Sequence, residues 1–247
     1  MKITIITCVY NGESTLADTM ESVFNQTHDD IEYILVDGAS TDGTAEIIRS
    51  REYEISRFLS EADDGIYDGL NKGLAMATGD VVGFLHSDDL YATNDVIEKV
   101  AEVFSQGGVD AVYGDLLYVR KDDISRVVRY WRSGLFRVSK LRWGWMPPHP
   151  AFFVRRELYQ KYGGFNTTYR ISADYDCILR FLGKAGIIPA YLPCVLVKMR
   201  MGGESNRSLS NLIRKSQEDL RALRENGVGG VMALAAKNLS KIPQFFN

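Results

Sequence analysis

Apolar and polar positions along the first hundred residues follow two alternating rhythms. Ile3–Val9 is a β-rich apolar run, and Leu16–Gln26 places Leu16, Met20, Val23 and Phe24 on one helical face behind a Ser14 cap. The step repeats as strand Tyr33–Asp37, helix Thr44–Arg49, strand Ile55–Ser60, helix Tyr67–Ala77, strand Val81–Leu85 and a helix over Asp95–Phe104. Strands that are apolar along their whole length and alternate with helices predict an α/β fold, a mostly parallel sheet flanked by helices on both faces. In such sheets ligands collect beyond the carboxyl ends of the strands. Here those ends are Thr7–Asn11, Asp37–Gly43, Glu61–Tyr67 and His86–Asp89, all polar and rich in carboxylates or glycine. Turns also favour Asp and Gly, but a purely structural edge has no need of four acidic clusters.

Past residue 106 the rhythm changes to short β-like pieces, Ala111–Tyr113 and Leu116–Val119, then a basic stretch with Trp131, Trp143 and Trp145. Met146-Pro147-Pro148-His149-Pro150 is too rich in proline for regular structure and reads as a pocket wall. Helices over Arg156–Tyr162 and Asp174–Leu182 follow, joined through a Gly163-Gly164 turn. The pattern thus changes once, near residue 106, and ends in a tail. In the tail, Val228–Phe246 mixes apolar residues with Lys237 and Lys241 and is too short to span a bilayer. An interfacial amphipathic helix fits it, and so does a terminal helix packed on the domain or pairing two subunits.

Charge sharpens this division. Residues 1–116 carry 23 acids against 6 bases and residues 117–247 carry 9 acids against 23 bases, so a net charge of −3 conceals −17 followed by +14. An acidic front suits a cation and polar ligands, and a basic back suits lipid phosphates or a membrane surface; the two halves can also simply attract each other. No nucleic-acid partner is expected. At 247 residues and 45% hydrophobic, the chain can bury a full core. Cys8, Cys177 and Cys194 lack metal-ligand spacing, and the first residues resemble a strand and not a secretory signal; both suit a cytoplasmic protein.

Phe84-Leu85-His86-Ser87-Asp88-Asp89 is an apolar strand ending in an imidazole and two carboxylates. Such a tip suits Mn²⁺ or Mg²⁺, hard cations that take oxygen ligands and leave positions for phosphate, although Asp-Asp after a strand is also an ordinary turn or cap. Asp37 can accept hydrogen bonds from a base N–H or ribose hydroxyls, and Asp42 caps the helix after it. His149, Trp143 and Trp145 offer aromatic faces to a sugar or acceptor, with core packing as the alternative.

Three spaced segments carry a specific resemblance: Ile5-Ile6-Thr7-Cys8-Val9-Tyr10-Asn11-Gly12, then Val36-Asp37-Gly38-Ala39-Ser40-Thr41-Asp42-Gly43-Thr44, then Asp63-Asp64-Gly65-Ile66-Tyr67-Asp68-Gly69-Leu70-Asn71-Lys72-Gly73. With Gly79-Asp80, Ser87-Asp88-Asp89, His149-Pro150, Gly163-Gly164-Phe165 and Ile171 to Arg180, they make residues 1–205 resemble family 2 glycosyltransferases of the GT-A fold, notably those of bacterial surface-polysaccharide assembly. The resemblance implies one catalytic domain over 1–205, with a nucleotide-sugar and metal half (1–106) and an acceptor half (107–205) before a helical tail over 206–247, and a nucleotide-sugar donor with Thr7, Tyr10, Asn11, Asp37 and Asn71 around the nucleotide. Asp88 is implied on the metal, with His86 beside it where the family's Asp-x-Asp motif has its first Asp. Asp174 is implied as the base of an inverting transfer; the family's usual Glu before it is Ala173 here. His149 and Trp145 are expected at the acceptor, and Arg200 with Gly202-Gly203-Glu204-Ser205-Asn206 matches the family's loop near the diphosphate.

The expected reaction moves a sugar from a UDP-sugar to an acceptor hydroxyl, on a saccharide or lipid-linked saccharide at the inner membrane face, with peripheral contact through the tail. Two rivals make different demands. A sugar-phosphate nucleotidyltransferase calls for a glycine-rich basic loop where this chain has Thr7–Gly12. A sugar- or nucleotide-binding module without turnover fits the His86 and Ala173 departures.

Overall fold

The computed structural model describes residues 1–202 and 209–239. Strand β1 (Ile3–Val9) is buried at every position, which explains why it is apolar apart from Thr4 and Thr7. Ile3, Ile5 and Val9 pack with α1 (Leu16–Phe24), α2 (Thr44–Ser50) and α4 (Val96–Ser105), whereas Ile6 and Cys8 face α3 (Ile66–Met76). α1 begins after Thr15, which makes no side-chain cap. β1 runs parallel to β2 (Ile31–Asp37) and β4 (Val81–Phe84), and β2 runs parallel to the edge strand β3 (Arg57–Ser60).

The second half departs from that rule. β8 (Phe152–Arg155) is antiparallel to both β4 and β6 (Ala111–Val119). β9 (Pro189–Arg200) is parallel to β6, while β5 (Leu90–Tyr91) and β7 (Val127–Trp131) pair antiparallel with β9 and β6. The sheet is therefore mixed, not mostly parallel, in the order β3-β2-β1-β4-β8-β6-β9-β5 with β7 on β6. The physical reason is connection length: β7 returns from β6 through a short connection, which only antiparallel pairing allows. The two β-like pieces at 111–119 are one strand, irregular around Asp115.

Helices complete the second half. α5 (Val138–Leu141) and α6 (Arg156–Tyr162) are short, and α7 (Ala173–Leu179) continues through a π turn over Arg180–Ala185, closed by Gly186 at φ 65°. α8 (Leu209–Glu225) lies on α7. α9 (Val231–Leu239) follows, and Ala222, Leu223, Val228 and Ala233 share one core cluster with Tyr175, Ile178 and Phe181. Lys237 is buried, pairs with buried Asp219 at 2.8 Å, and sets its ammonium 3.2 Å from the Tyr175 ring centroid. Gly144 leaves room for it: a Cβ there would meet the Lys237 backbone at 2.5 Å. Among the described residues no helix is long and apolar enough to cross a membrane. Lys241, Ile242, Phe245 and Phe246 of the expected amphipathic segment lie outside the described residues.

Candidate active site

The ends of β1 and β2 are tied together by side chains. Asn11, at φ 52°, donates its N–H to the Ser40 hydroxyl (2.8 Å) and accepts the Thr41 N–H on its amide oxygen (2.9 Å). Asn tolerates that left-handed backbone because its short polar side chain bonds locally. Asp37 is 1% exposed; its carboxylate accepts from the Ser40 N–H (3.1 Å), the Ser40 hydroxyl and the Ser60 hydroxyl (2.7 Å). Tyr10 stands out at 64% exposure, and Gly38 brings it near Asp63: a Cβ on Gly38 would lie 2.8 Å from an Asp63 carboxylate oxygen and 3.6 Å from the Tyr10 ring. These strand ends bring together a phenol, an amide and carboxylates.

Two more residues expected around the nucleotide, Thr7 and Asn71, are engaged within the fold. Thr7 is fully buried on the face of β1 that meets α1 and α4, because a strand covered on both sides hides even the polar residue near its end. Asn71 uses both ends of its amide on one backbone unit, donating to the Phe165 carbonyl (2.8 Å) and accepting the Phe165 N–H (2.8 Å). It clamps the Gly163–Phe165 turn, and at Gly164 a Cβ would lie 2.5 Å from its oxygen.

Past β4, His86 and Asp88 are half-buried and Asp89 is fully buried. Burial, then the neighbouring Asp88 charge, pushes the Asp89 carboxyl well above the usual range, and it accepts the Arg200 N–H (3.3 Å). The loop is fixed from behind: Thr19 donates to the Asp89 carbonyl (2.8 Å), and the Arg200 guanidinium donates to the Asp88 carbonyl (3.0 Å) and pairs with Asp18. Residues 203–206 of the loop expected after Arg200 lie outside the described residues.

Among the described residues no group of three or more His, Cys, Asp or Glu is arranged to hold a metal ion. Asp88 with His86 still fits a hard cation of the kind that binds through one or two protein groups and takes its remaining oxygens from phosphates.

Across from these loops, in the second half of the chain, α7 carries Asp174 in its first turn. The buried Tyr67 hydroxyl, at the start of α3, donates to the Ile171 carbonyl (2.6 Å) and to Asp174 Oδ1 (3.2 Å). Burial, then the Asp174 charge, raises the Tyr67 pKa well above its ordinary value, so the phenol stays a donor. His149 stacks on Phe84 (5.4 Å between centroids), lies 5.8 Å from the His86 ring, and is 6% exposed with neither ring nitrogen partnered. Burial lowers its pKa to about 4, the Asp174 charge opposing and His86 adding to the shift, so His149 is neutral at physiological pH. A buried imidazole with two unpaired nitrogens near those groups is suited to a ligand hydroxyl or water. Trp145 is turned inward, donating to the Ser133 carbonyl (2.8 Å) and packing edge-on to Tyr113, so it supports the pocket wall from within; Trp143 is 68% exposed.

A model of glycosyl transferase family 2 matches residues 4–171, two thirds of the chain and nearly all of these groups. The chain belongs to glycosyl transferase family 2. A "PGL/p-HBAD biosynthesis glycosyltransferase" of Mycobacterium tuberculosis is 31% identical over 207 residues, covering 82% of this chain and 78% of the relative. An uncharacterized glycosyltransferase of Nostoc is 33% identical over 201 residues, covering 74% and 61%. Among solved structures, TarS residues 1–349 of S. aureus in complex with UDP aligns at TM-score 0.69 and 16% identity, covering 96% of this chain and 69% of that one. The mannosyltransferase PcManGT of Pyrobaculum calidifontis, solved with GDP-Man and Mn²⁺, aligns at 0.68 and 23% identity, covering 96% and 68%. The family 2 enzyme thus has the GT-A fold and is a glycosyltransferase.

Sequence reasoning did not single out Tyr67, Glu218 or Asp115 as residues of the site. Asp115 is buried in β6 and accepts from Tyr130, Tyr191 and the Ser133 N–H, each at 2.8 Å, which holds the wall carrying Trp145. The available signal for Asp115 was a carboxylate inside an apolar strand, a pattern that burial alone disfavours.

Proposed function

We propose that this glycosyltransferase is inverting and moves a sugar from a UDP-sugar to an acceptor hydroxyl, with Asp174 as the base. The observation that carries the proposal is Asp174 held by the Tyr67 hydroxyl (3.2 Å), its charge felt by the same buried His149 whose ring lies 5.8 Å from that of His86. The acceptor oxygen attacks the anomeric carbon, the bond from that carbon to the diphosphate oxygen breaks, and the acceptor proton passes to the Asp174 carboxylate. Tyr67 orients that carboxylate through Oδ1, leaving Oδ2 for the proton. Neutral His149 supplies a hydrogen bond to a sugar or acceptor hydroxyl. Tyr10 and Asn11 line the nucleotide, with Asp37 beneath them. Asp88 and His86 would hold Mn²⁺ or Mg²⁺, which supplies neutralisation of the departing diphosphate charge.

The likeness to TarS, solved with UDP and with UDP-GlcNAc, favours a UDP-sugar, and the pairing of PcManGT with GDP-Man makes guanine the base to test against. For the acceptor we propose a lipid-linked saccharide met at a membrane surface. Ile213 on α8 and Val231, Met232 and Leu239 on α9 are exposed, and the bases Arg214 and Lys215 follow Ile213 in sequence, a combination that supports contact with an anionic membrane.

Melting of the purified chain with UDP, GDP, CDP and ADP, each with and without Mn²⁺, tests the donor. At about 100 times its dissociation constant the right nucleotide adds roughly 2.7 kcal/mol of stability. UDP is expected to do so only with Mn²⁺, and Asp88→Ala to abolish the effect; Asp174→Asn should keep UDP binding while losing turnover by about 10² to 10⁴. Stabilisation by another nucleotide, or by UDP without metal in Asp88→Ala, sinks the donor and metal reading. For the acceptor surface, the chain is expected to sediment with vesicles containing phosphatidylglycerol, and Ile213→Glu with Met232→Glu to release it. Equal sedimentation of that double variant removes the membrane face from the proposal.

A further inference from the structure

The base segment is held by a residue far beyond the family's matched region. Three successive backbone N–H groups just ahead of Asp174 converge on one carboxylate of α8: Arg170 N–H donates to Glu218 Oε1 (3.0 Å), and Ile171 and Ser172 N–H donate to Glu218 Oε2 (2.8 and 3.0 Å). These groups lead into the first turn of α7, where N–H donors lack intrahelical partners and negative charge is favoured. The usual occupant of that role is the capping side chain, but the Ser172 hydroxyl makes no hydrogen bond to the helix and has no partner. Glu218 reaches from another helix to the three residues that lead into that turn, ahead of the donors a cap would take.

The same peptide is gripped from its opposite side. Ile171 gives its N–H to Glu218 and its carbonyl to the Tyr67 hydroxyl, and that hydroxyl is the one touching Asp174. α8 is in turn anchored to α7 and its approach by Asn226 on Asp176 (2.8 Å), by Tyr169 on Glu225 (2.7 Å) and by the buried Lys237–Asp219 pair beneath Tyr175. A charge-assisted contact to three donors is both stronger and more directional than a neutral cap.

We infer that Glu218 is a positioning residue for catalysis: by fixing residues 170–172 from α8 it sets the orientation of Asp174, so the C-terminal helix is part of the catalytic apparatus. The inference rests on reading Asp174 as the base. It predicts damage to the chemical step without damage to donor binding, because Glu218 touches only the base side of the cleft.

The test uses the full chain as wild type, Glu218→Ala, Glu218→Gln, Arg224→Ala as a control on the exposed side of the same helix, and Asp174→Asn. UDP or GDP release from UDP-glucose, UDP-N-acetylglucosamine and GDP-mannose with Mn²⁺, water serving as acceptor, gives kcat and donor KM. Amide hydrogen exchange in the absence of substrate follows residues 170–175. Glu218→Ala is expected to lower kcat by about tenfold or more, since small misplacements of a reacting group are that costly. Donor KM should stay within about twofold, the signature of an interaction felt only in the reaction. Exchange at 170–172 should quicken, with the loosening reaching the first turn of α7.

Glu218→Gln, which keeps the shape but opposes an N–H₂ to one of the three donors, should fall between wild type and Ala, and Arg224→Ala should match wild type. If Glu218→Ala does not fold, Glu218→Gln carries the same comparison. Wild-type kcat in a folded Glu218 variant overturns the inference, and so does unchanged exchange through 170–175, whatever the turnover. Asp174→Asn separates the two readings. Full activity there overturns the base assignment, whereas an inactive Asp174→Asn beside a fully active Glu218→Ala overturns only the role of Glu218.

Discussion

The two halves of this glycosyltransferase are built by different kinds of contact. Up to α4, the loops at the strand ends are tied to each other over about thirty residues of sequence: Asn11 to Ser40, the Gly12 N–H to the Thr44 hydroxyl, the Glu13 N–H to Asp42. Segments that follow later add ties over longer spans, Asn71 to Phe165, Arg200 to Asp88 and Glu218 to Ile171, and the C-terminal helices hold the nearly fully buried ion pair found among the described residues, Lys237 with Asp219. The strand-end loops of the first half are therefore shaped largely by one another. The approach to Asp174 is shaped by segments that arrive last along the chain, so a change in the C-terminal helices reaches that carboxylate.

The strongest way to break that contrast is to remove the Lys237 ammonium. Lys237→Ala leaves Asp219 buried without that ammonium, and such a loss is worth about 3–5 kcal/mol, or roughly 2–4 °C of melting temperature per kcal/mol in a chain of this size. Replacing the pair together, as Lys237→Met with Asp219→Leu, is expected to recover most of the loss, because a well-packed apolar pair removes the stranded charge. Thermal melting of the three proteins measures both steps. A single variant that melts with wild type would mean that α9 contributes nothing to the acceptor half, and the contrast drawn above would fail.

The same contrast explains what was legible in the sequence. The βα alternation of the first hundred residues places β1, α1, β2, α2, α3, β4 and α4 within two or three residues of their observed bounds, since each strand is paired or covered by the element next in line. Beyond residue 106 the twelve-residue strand β9 was not legible: its partners, β6 and β5, lie far away in sequence, and its half-buried run, which contains Pro189 and Pro193, lacks a clean period. The helix α8 carries a strong apolar face in Leu212, Ile213, Leu220 and Leu223, yet its function is written in Glu218, whose targets are backbone N–H groups that no side-chain pattern reveals. The surroundings of Asn71 and Thr7 were not legible for a related reason. A motif position says which residue type is present, while its role depends on whether Phe165 has already claimed the amide or the sheet has already covered the hydroxyl.

Acid titration sharpens the comparison with one buried group from each half. Glu32, in β2, is buried; burial alone would raise its pKa, but hydrogen bonds from the Thr4 hydroxyl and from the N–H and hydroxyl of Thr78, with the Lys2 charge, bring it down to about 2. A carboxylate depressed in the folded state contributes stability that is complete above its ordinary value near 4.5 and lost as pH falls toward 2. His149 is depressed in the other chemical sense: its ordinary value of 6.5 falls to about 4, so the unfolded chain takes up the proton first. Its contribution too is complete above pH 6.5 and is lost as pH falls to about 4, amounting to roughly 3 kcal/mol by the lower end. Urea unfolding from pH 7 to pH 3 is therefore expected to weaken in two stages, the acceptor half first. His149→Gln should flatten the stage between pH 6.5 and 4. Glu32→Gln should cost about 1–3 kcal/mol at pH 7 and flatten only the stage below 4.5. A His149→Gln protein that keeps the full slope between pH 6.5 and 4 would show that the imidazole is hydrated in the folded chain, and the neutral hydrogen-bonding role given to it beside Asp174 would have to be withdrawn.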